Sequence, residues 1–173
     1  SGVVSVTDEP VNEYGEWLYL AAANLHSLAS SGSPLIVSVA GAQGSGKSTF
    51  AIILGDLLHQ CFHRSSVILS LDDFYLTRSE RGALSRDIHP NLQVRGVPGT
   101  HAVGLMLEVL DCLERGDAVH VPVFSKAIDD RLTTSRLIPA ADIIIVEGWC
   151  WGARPQSLEQ LEHPVNDLEK VTD

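Results

Sequence analysis

Gly41-Ala42-Gln43-Gly44-Ser45-Gly46-Lys47-Ser48 is the stretch that decides the fold. It fits G-x-x-x-x-G-K-[ST] at each fixed position. Glycines let the backbone curl so that successive N–H groups converge on phosphate oxygens. A helix starting near Lys47 aims the positive end of its dipole at the same point. A lysine so placed reaches the β- and γ-phosphates of a nucleotide, and the Ser48 hydroxyl can ligand Mg²⁺. The segment therefore predicts an ATP and Mg²⁺ site built from Gly41, Gln43, Gly44, Ser45, Gly46, Lys47, Ser48 and Thr49.

The flanks supply the context that the motif needs. Leu35–Ala40 is a short apolar run, read as a buried strand. Ser48 to about Cys61 is amphipathic, with Phe50, Ile53, Leu54, Leu57 and Leu58 facing inward. Further out, residues 12–30 predict a helix whose inner face carries Trp17, Leu18, Ala21, Leu25 and Leu28, stopped by Ser-Gly-Ser-Pro at 31–34. Residues 1–11 read as a loose arm. Val67–Leu71 predicts a second strand, ending in Asp72-Asp73-Phe74-Tyr75. Residues 77–100 read as a polar loop with one short helix, 101–115 as a helix, 118–124 as a short strand and 125–140 as irregular. Ile143–Val146 is a further buried strand, ending in Glu147, and residues 157–161 a last helix.

Apolar strands alternating with helices imply a parallel sheet covered on both faces. The expected fold is α/β, three layers, of the P-loop nucleoside-triphosphate hydrolase type, in one domain with the phosphate-loop strand central. Ligands of such sheets bind beyond the carboxyl ends of the strands. The phosphate loop, Asp72-Asp73 and Glu147 each follow a strand. An acid at the end of a neighbouring strand orients Mg²⁺ or its waters, which makes Glu147 the metal-side partner of Ser48. A hydroxyl nucleophile needs a carboxylate in line with the γ-phosphate. Neighbouring side chains of an extended segment point opposite ways, so one of the two aspartates faces the site. Asp72 is taken as the base and Asp73 as a metal-water or support residue.

Composition narrows the classes. The chain has 173 residues, 45% apolar and 20% charged, as in an ordinary single soluble domain. Its net charge of −10 argues against a nucleic-acid partner, which demands a face rich in Lys and Arg. Cys61, Cys112 and Cys150 are far apart and form no CxxC, the usage of reduced thiols. Nothing reads as a membrane span or a secretory leader, so the expected compartment is the cytoplasm.

Four segments together resemble the glycerate kinase-like P-loop kinases, relatives of phosphoribulokinase, uridine kinase and bacterial pantothenate kinase. They are Gly41–Thr49, Ser70-Leu-Asp-Asp-Phe-Tyr-Leu-Thr77, Arg95-Gly-Val-Pro-Gly-Thr-His101 and Val146-Glu-Gly-Trp149. The resemblance spans roughly residues 33–170. It implies ATP- and Mg²⁺-dependent phosphorylation of a small alcohol, with D-glycerate the best-known acceptor. It also implies that Asp72 is the base, that Lys47 is catalytic, and that Asp73, Tyr75, Arg95, His101 and Lys126 lie on the acceptor side. Arg95 offers a fork suited to a carboxylate or phosphate, and Lys126 can offset charge on the transferring group. The sequence departs from the family at Ala102 and Ser125, where aspartates are usual. The family also continues beyond a stretch like Pro164–Glu169, with a further strand, an arginine-bearing lid and much of the adenine pocket. The competing classes are a nucleotide-binding switch that transfers nothing, and a kinase for a nucleoside, pantothenate or another sugar acid.

Overall fold

A computed structural model describes residues 13–29, 32–162 and 164. The predicted arm at 1–11 lies outside them. The chain runs α1 (Glu13–Leu28), β1 (Leu35–Ala40), α2 (Lys47–Phe62) and β2 (Ser66–Ser70), which passes into a 3-10 turn (Leu71–Phe74). It continues with α3 (Arg78–Asp87), a second 3-10 turn (Pro90–Gln93), α4 (Val103–Glu114), β3 (Val119–Ser125), β4 (Asp130–Ile138), β5 (Ile143–Gly148) and α5 (Leu158–Leu161).

The order of the parallel sheet among the described residues is β1-β5-β2. Central place thus belongs to β5, and not, as expected, to the phosphate-loop strand β1. The reason lies in the side chains. All six residues of β5 are buried, whereas β1 alternates half-buried and exposed positions. A strand with neighbours on both edges and layers on both faces must be apolar throughout.

The alternation of β5 divides the core. Ile143 and Ile145 face α1 and α2, meeting Ala22, Ala51, Leu54 and Leu58. Ile144 and Val146 face the other way, onto Met106, Val109 and Leu113 of α4 and Val121 and Ile138 of the β3–β4 hairpin. Each such buried aliphatic side chain contributes about 2 kcal/mol. The three layers are therefore α1 and α2, the sheet, and α4 with the hairpin.

Helix α1 turns inward part of the face predicted for it: Leu18 is buried and Ala21 and Leu25 pack against the core, but the two ends of that stripe do not. Leu18, Ala22 and Ala29 are buried, while Trp17 and Leu28 are 72% and 67% exposed. Small alanines allow close approach to α2. The rings of Tyr19 and His26 meet Phe62 of α2 at 5.6 and 5.0 Å, which favours that flank of the helix.

Two regions are more regular than the sequence suggests. Residues 78–87 form a full helix, started by a Thr77–Glu80 capping box. Residues 130–138 form β4, antiparallel to β3, with a bulge between Pro122 and Phe124. Most β4 side chains are exposed, so no apolar pattern marks the strand.

Candidate active site

The carboxyl ends of β1, β2 and β5 open onto one cavity of about 1020 Å³. Its floor is the phosphate loop. Gly46 caps α2 at φ 85°, a left-handed conformation that glycine takes freely. A Cβ at Gly41 would lie 2.9 Å from Ser45 Oγ, so a side chain there would force the loop to shift. Lys47 Nζ donates to the Ala42 carbonyl at 3.0 Å, spanning the loop. Gln43, Gly44, Lys47 and Ser48 line the cavity, whereas Gly41, Ser45, Gly46 and Thr49 of the same segment do not.

Glu147 reaches the same cavity from the end of β5 and is only 7% exposed. Ser70, the last residue of β2, donates its hydroxyl to Glu147 Oε1 at 2.5 Å. This partner was not anticipated; the pairing of Ser70 with Glu147 across the sheet produces it. The Ser48 hydroxyl and the Glu147 carboxylate are hard oxygen donors, the chemistry that suits Mg²⁺.

Asp72 and Asp73 do not continue the strand; they lie in the 3-10 turn. Only one of the two reaches the cavity, and the cause is not the alternation invoked for it. Asp72 lines the cavity. Its Oδ2 lies 2.6 Å from Lys126 Nζ, and the Tyr75 hydroxyl donates to its carboxylate. Asp73 turns away to accept the Phe124 backbone N–H at 3.2 Å, with Arg136 at 3.6 Å. Burial pushes its carboxyl above the ordinary range.

Tyr75 is 2% exposed, and burial together with the Asp72 charge pushes its phenol up to about 12. It therefore stays a hydrogen-bond donor at neutral pH. His101 stands behind it, ring on ring at 4.2 Å, and does not line the cavity. Burial lowers the His101 pKa, which favours a neutral ring. The position expected to touch the acceptor thus supports a residue that does line the cavity.

The β3–β4 hairpin delivers the remaining charges. Arg131 donates to the Tyr75 carbonyl at 2.7 Å, tying β4 to the 3-10 turn. Between the strands, the turn carries Lys126 to Asp72 and Asp129 to Arg95, whose Nη1 lies 2.5 Å from Asp129 Oδ1. Arg78 and Trp149 complete the wall. Arg78 was missed because a polar loop was expected there, and Asp129 because its segment also reads as a solvated turn.

Comparisons with known proteins give the family. The Phosphoribulokinase / Uridine kinase family profile matches residues 36–161. The uncharacterized kinase mug58 of Schizosaccharomyces pombe is 37% identical over 136 residues, 72% of this chain and 49% of that protein. The probable ATP-dependent kinase TDA10 of Saccharomyces cerevisiae is 36% identical over 155 residues, 80% and 53% of the two chains. The solved D-glycerate 3-kinase of Cryptococcus neoformans superposes with a TM-score of 0.70 at 30% identity, over 84% of this chain and 54% of that one. The chain spans about half the length of these relatives. No helix among the described residues is long and apolar enough to cross a membrane.

Proposed function

Because the chain belongs to the phosphoribulokinase/uridine kinase family, we propose that it forms the catalytic core of an ATP-dependent kinase whose acceptor is a small hydroxy acid, D-glycerate first. The observation that carries this reading is one cavity lined both by the phosphate loop and by Asp72 in the grip of Lys126 and Tyr75. A switch that only binds nucleotide has no use for such a carboxylate.

Phosphate-loop amides and Lys47 hold the triphosphate, with the α2 dipole aimed at it. Ser48 and Glu147 would hold Mg²⁺, with Ser70 keeping Glu147 in one orientation. When bound, the ion offsets charge on the phosphates. Asp72 accepts a hydrogen bond from the acceptor hydroxyl and takes its proton as the new O–P bond forms and ADP departs. Tyr75 and Lys126 fix the direction of the Asp72 carboxylate. Arg95 receives the acceptor's carboxylate. Most of the rate gain then comes from alignment and electrostatics.

The test is ATP consumption by the intact protein against a panel of small alcohols. Phosphorylation of D-glycerate, reduced about 10²-fold or more by Asp72→Asn with ATP binding retained, is the expected result. ATP binding with no turnover on any alcohol would move the assignment to a nucleotide switch.

A further inference from the structure

One buried charge on the acceptor side has no part in the mechanism above. Arg81 of α3 is 0% exposed. Its guanidinium donates to the carbonyls of Leu76, Gln93 and Asp129 at 2.9, 3.3 and 2.9 Å, and to Asp129 Oδ2 at 2.6 Å. A buried guanidinium persists only when hydrogen-bonded and paired, and Asp129 supplies the pairing charge. Asp129 stands at φ 54°, where glycine would be the easier residue. The conformation aims its second oxygen, Oδ1, at Arg95. One carboxylate thus bridges a buried arginine and a cavity-facing one.

This bridge changes the charge that an acceptor meets. Away from the phosphate loop, Arg78, Arg95 and Lys126 on the wall and Arg81 buried behind it stand against Asp72 and Asp129, leaving two positive units of which one is buried. Asp72 engages Lys126, and Asp129 occupies one edge of Arg95. Without Asp129 the same groups would carry three positive units, and Arg95 would present its whole fork. An entering dianion also meets the Asp129 carboxylate as a like charge beside its binding group.

We infer that Asp129 is a specificity-determining residue: it tunes the acceptor site to an alcohol with a single negative charge, a carboxylate, and against an alcohol bearing a dianionic phosphate ester. The inference rests on the alcohol-kinase reading of the same cavity. Asp129 acts through Arg95 and is a positioning residue, so loss of activity alone would not identify its role. The informative quantity is a ratio.

The experiment compares kcat/KM for D-glycerate and glycerol 3-phosphate, both three-carbon alcohols, in the intact wild-type protein and in Asp129→Asn. Asparagine tolerates the left-handed backbone and keeps an oxygen for Arg81. The wild type should prefer D-glycerate. The variant should shift the ratio toward glycerol 3-phosphate by about tenfold or more, with KM for ATP unchanged. Should the variant not fold, the wild type still decides: glycerol 3-phosphate should inhibit D-glycerate turnover only at concentrations well above KM for D-glycerate. Equal use or equal binding of the two compounds by the wild type, or an unchanged ratio in a folded variant, overturns the inference. Phosphorylation of only neutral or phosphorylated alcohols overturns it and leaves the kinase reading intact. Failure to phosphorylate any alcohol overturns both.

Discussion

Lys47 shows how much one side chain can carry without holding the fold together. It sits at the first position of α2, half-buried, and among the described residues its ammonium bonds only to the Ala42 carbonyl of its own loop. Lys47→Ala should therefore leave the circular dichroism spectrum and the melting temperature nearly unchanged. Transfer should fall by about 10² to 10³-fold, since a charge aimed at the transferring phosphoryl is lost. A variant with full activity would remove Lys47 from the mechanism. Tyr75 and His101 make the opposite case. Their role lies in a stacked pair behind Asp72, and nothing in the spacing of these two residues shows that one ring faces the cavity and the other backs it.

At the scale of elements, α3 stands on its first turn. The Thr77 hydroxyl accepts the Glu80 N–H at 3.2 Å, and the Glu80 carboxylate accepts the Thr77 N–H at 2.7 Å. Hydrogen bonds from Thr77 hold the Glu80 carboxyl below its usual range. Thr77→Ala should cost about 1 kcal/mol, read as a lower urea midpoint at constant m. Because α3 carries Arg81 and Arg78, the acceptor-side KM should rise in the same variant more than KM for ATP. The Thr-x-x-Glu signature of this start is present in the sequence, and the helix was underestimated because its residues are polar. The hairpin strand β4 gave no such signal. Its exposed face and its arginines read as loop, and only pairing with β3 makes it a strand.

The whole molecule is closed at the amino ends of its strands by Asp142. Its Oδ2 accepts both the Ser65 hydroxyl and the Ser65 N–H, at 2.7 and 2.8 Å, and its own N–H donates to Ser65 Oγ at 2.9 Å. This staple joins the starts of β2 and β5. The Ser65 hydroxyl, then its amide, hold the carboxyl below the ordinary 3.8. A carboxyl whose folded pKa is depressed stabilises the fold above its unfolded value, and that contribution is lost as pH falls through the folded value. The stability difference between wild type and Asp142→Asn should therefore be constant near neutrality and shrink below about pH 4. A difference independent of pH would reduce the staple to packing.

Much was determined by sequence alone, and for a local reason. The phosphate loop needs contiguous glycines, a lysine and a serine between a strand and a helix, so eight consecutive residues announced both a nucleotide site and the α/β class. The apolar run before Glu147 placed that acid at a strand end in the same way. The tertiary structure decided what depends on distance across the chain. It set β5 at the sheet centre and rotated α1 away from Trp17. It paired Ser70 with Glu147, and it brought Lys126 and Asp129 to Asp72 and Arg95. Those contacts join residues 34 to 77 positions apart, and their partners are chosen by strand order and by a hairpin whose exposed residues leave no periodic trace.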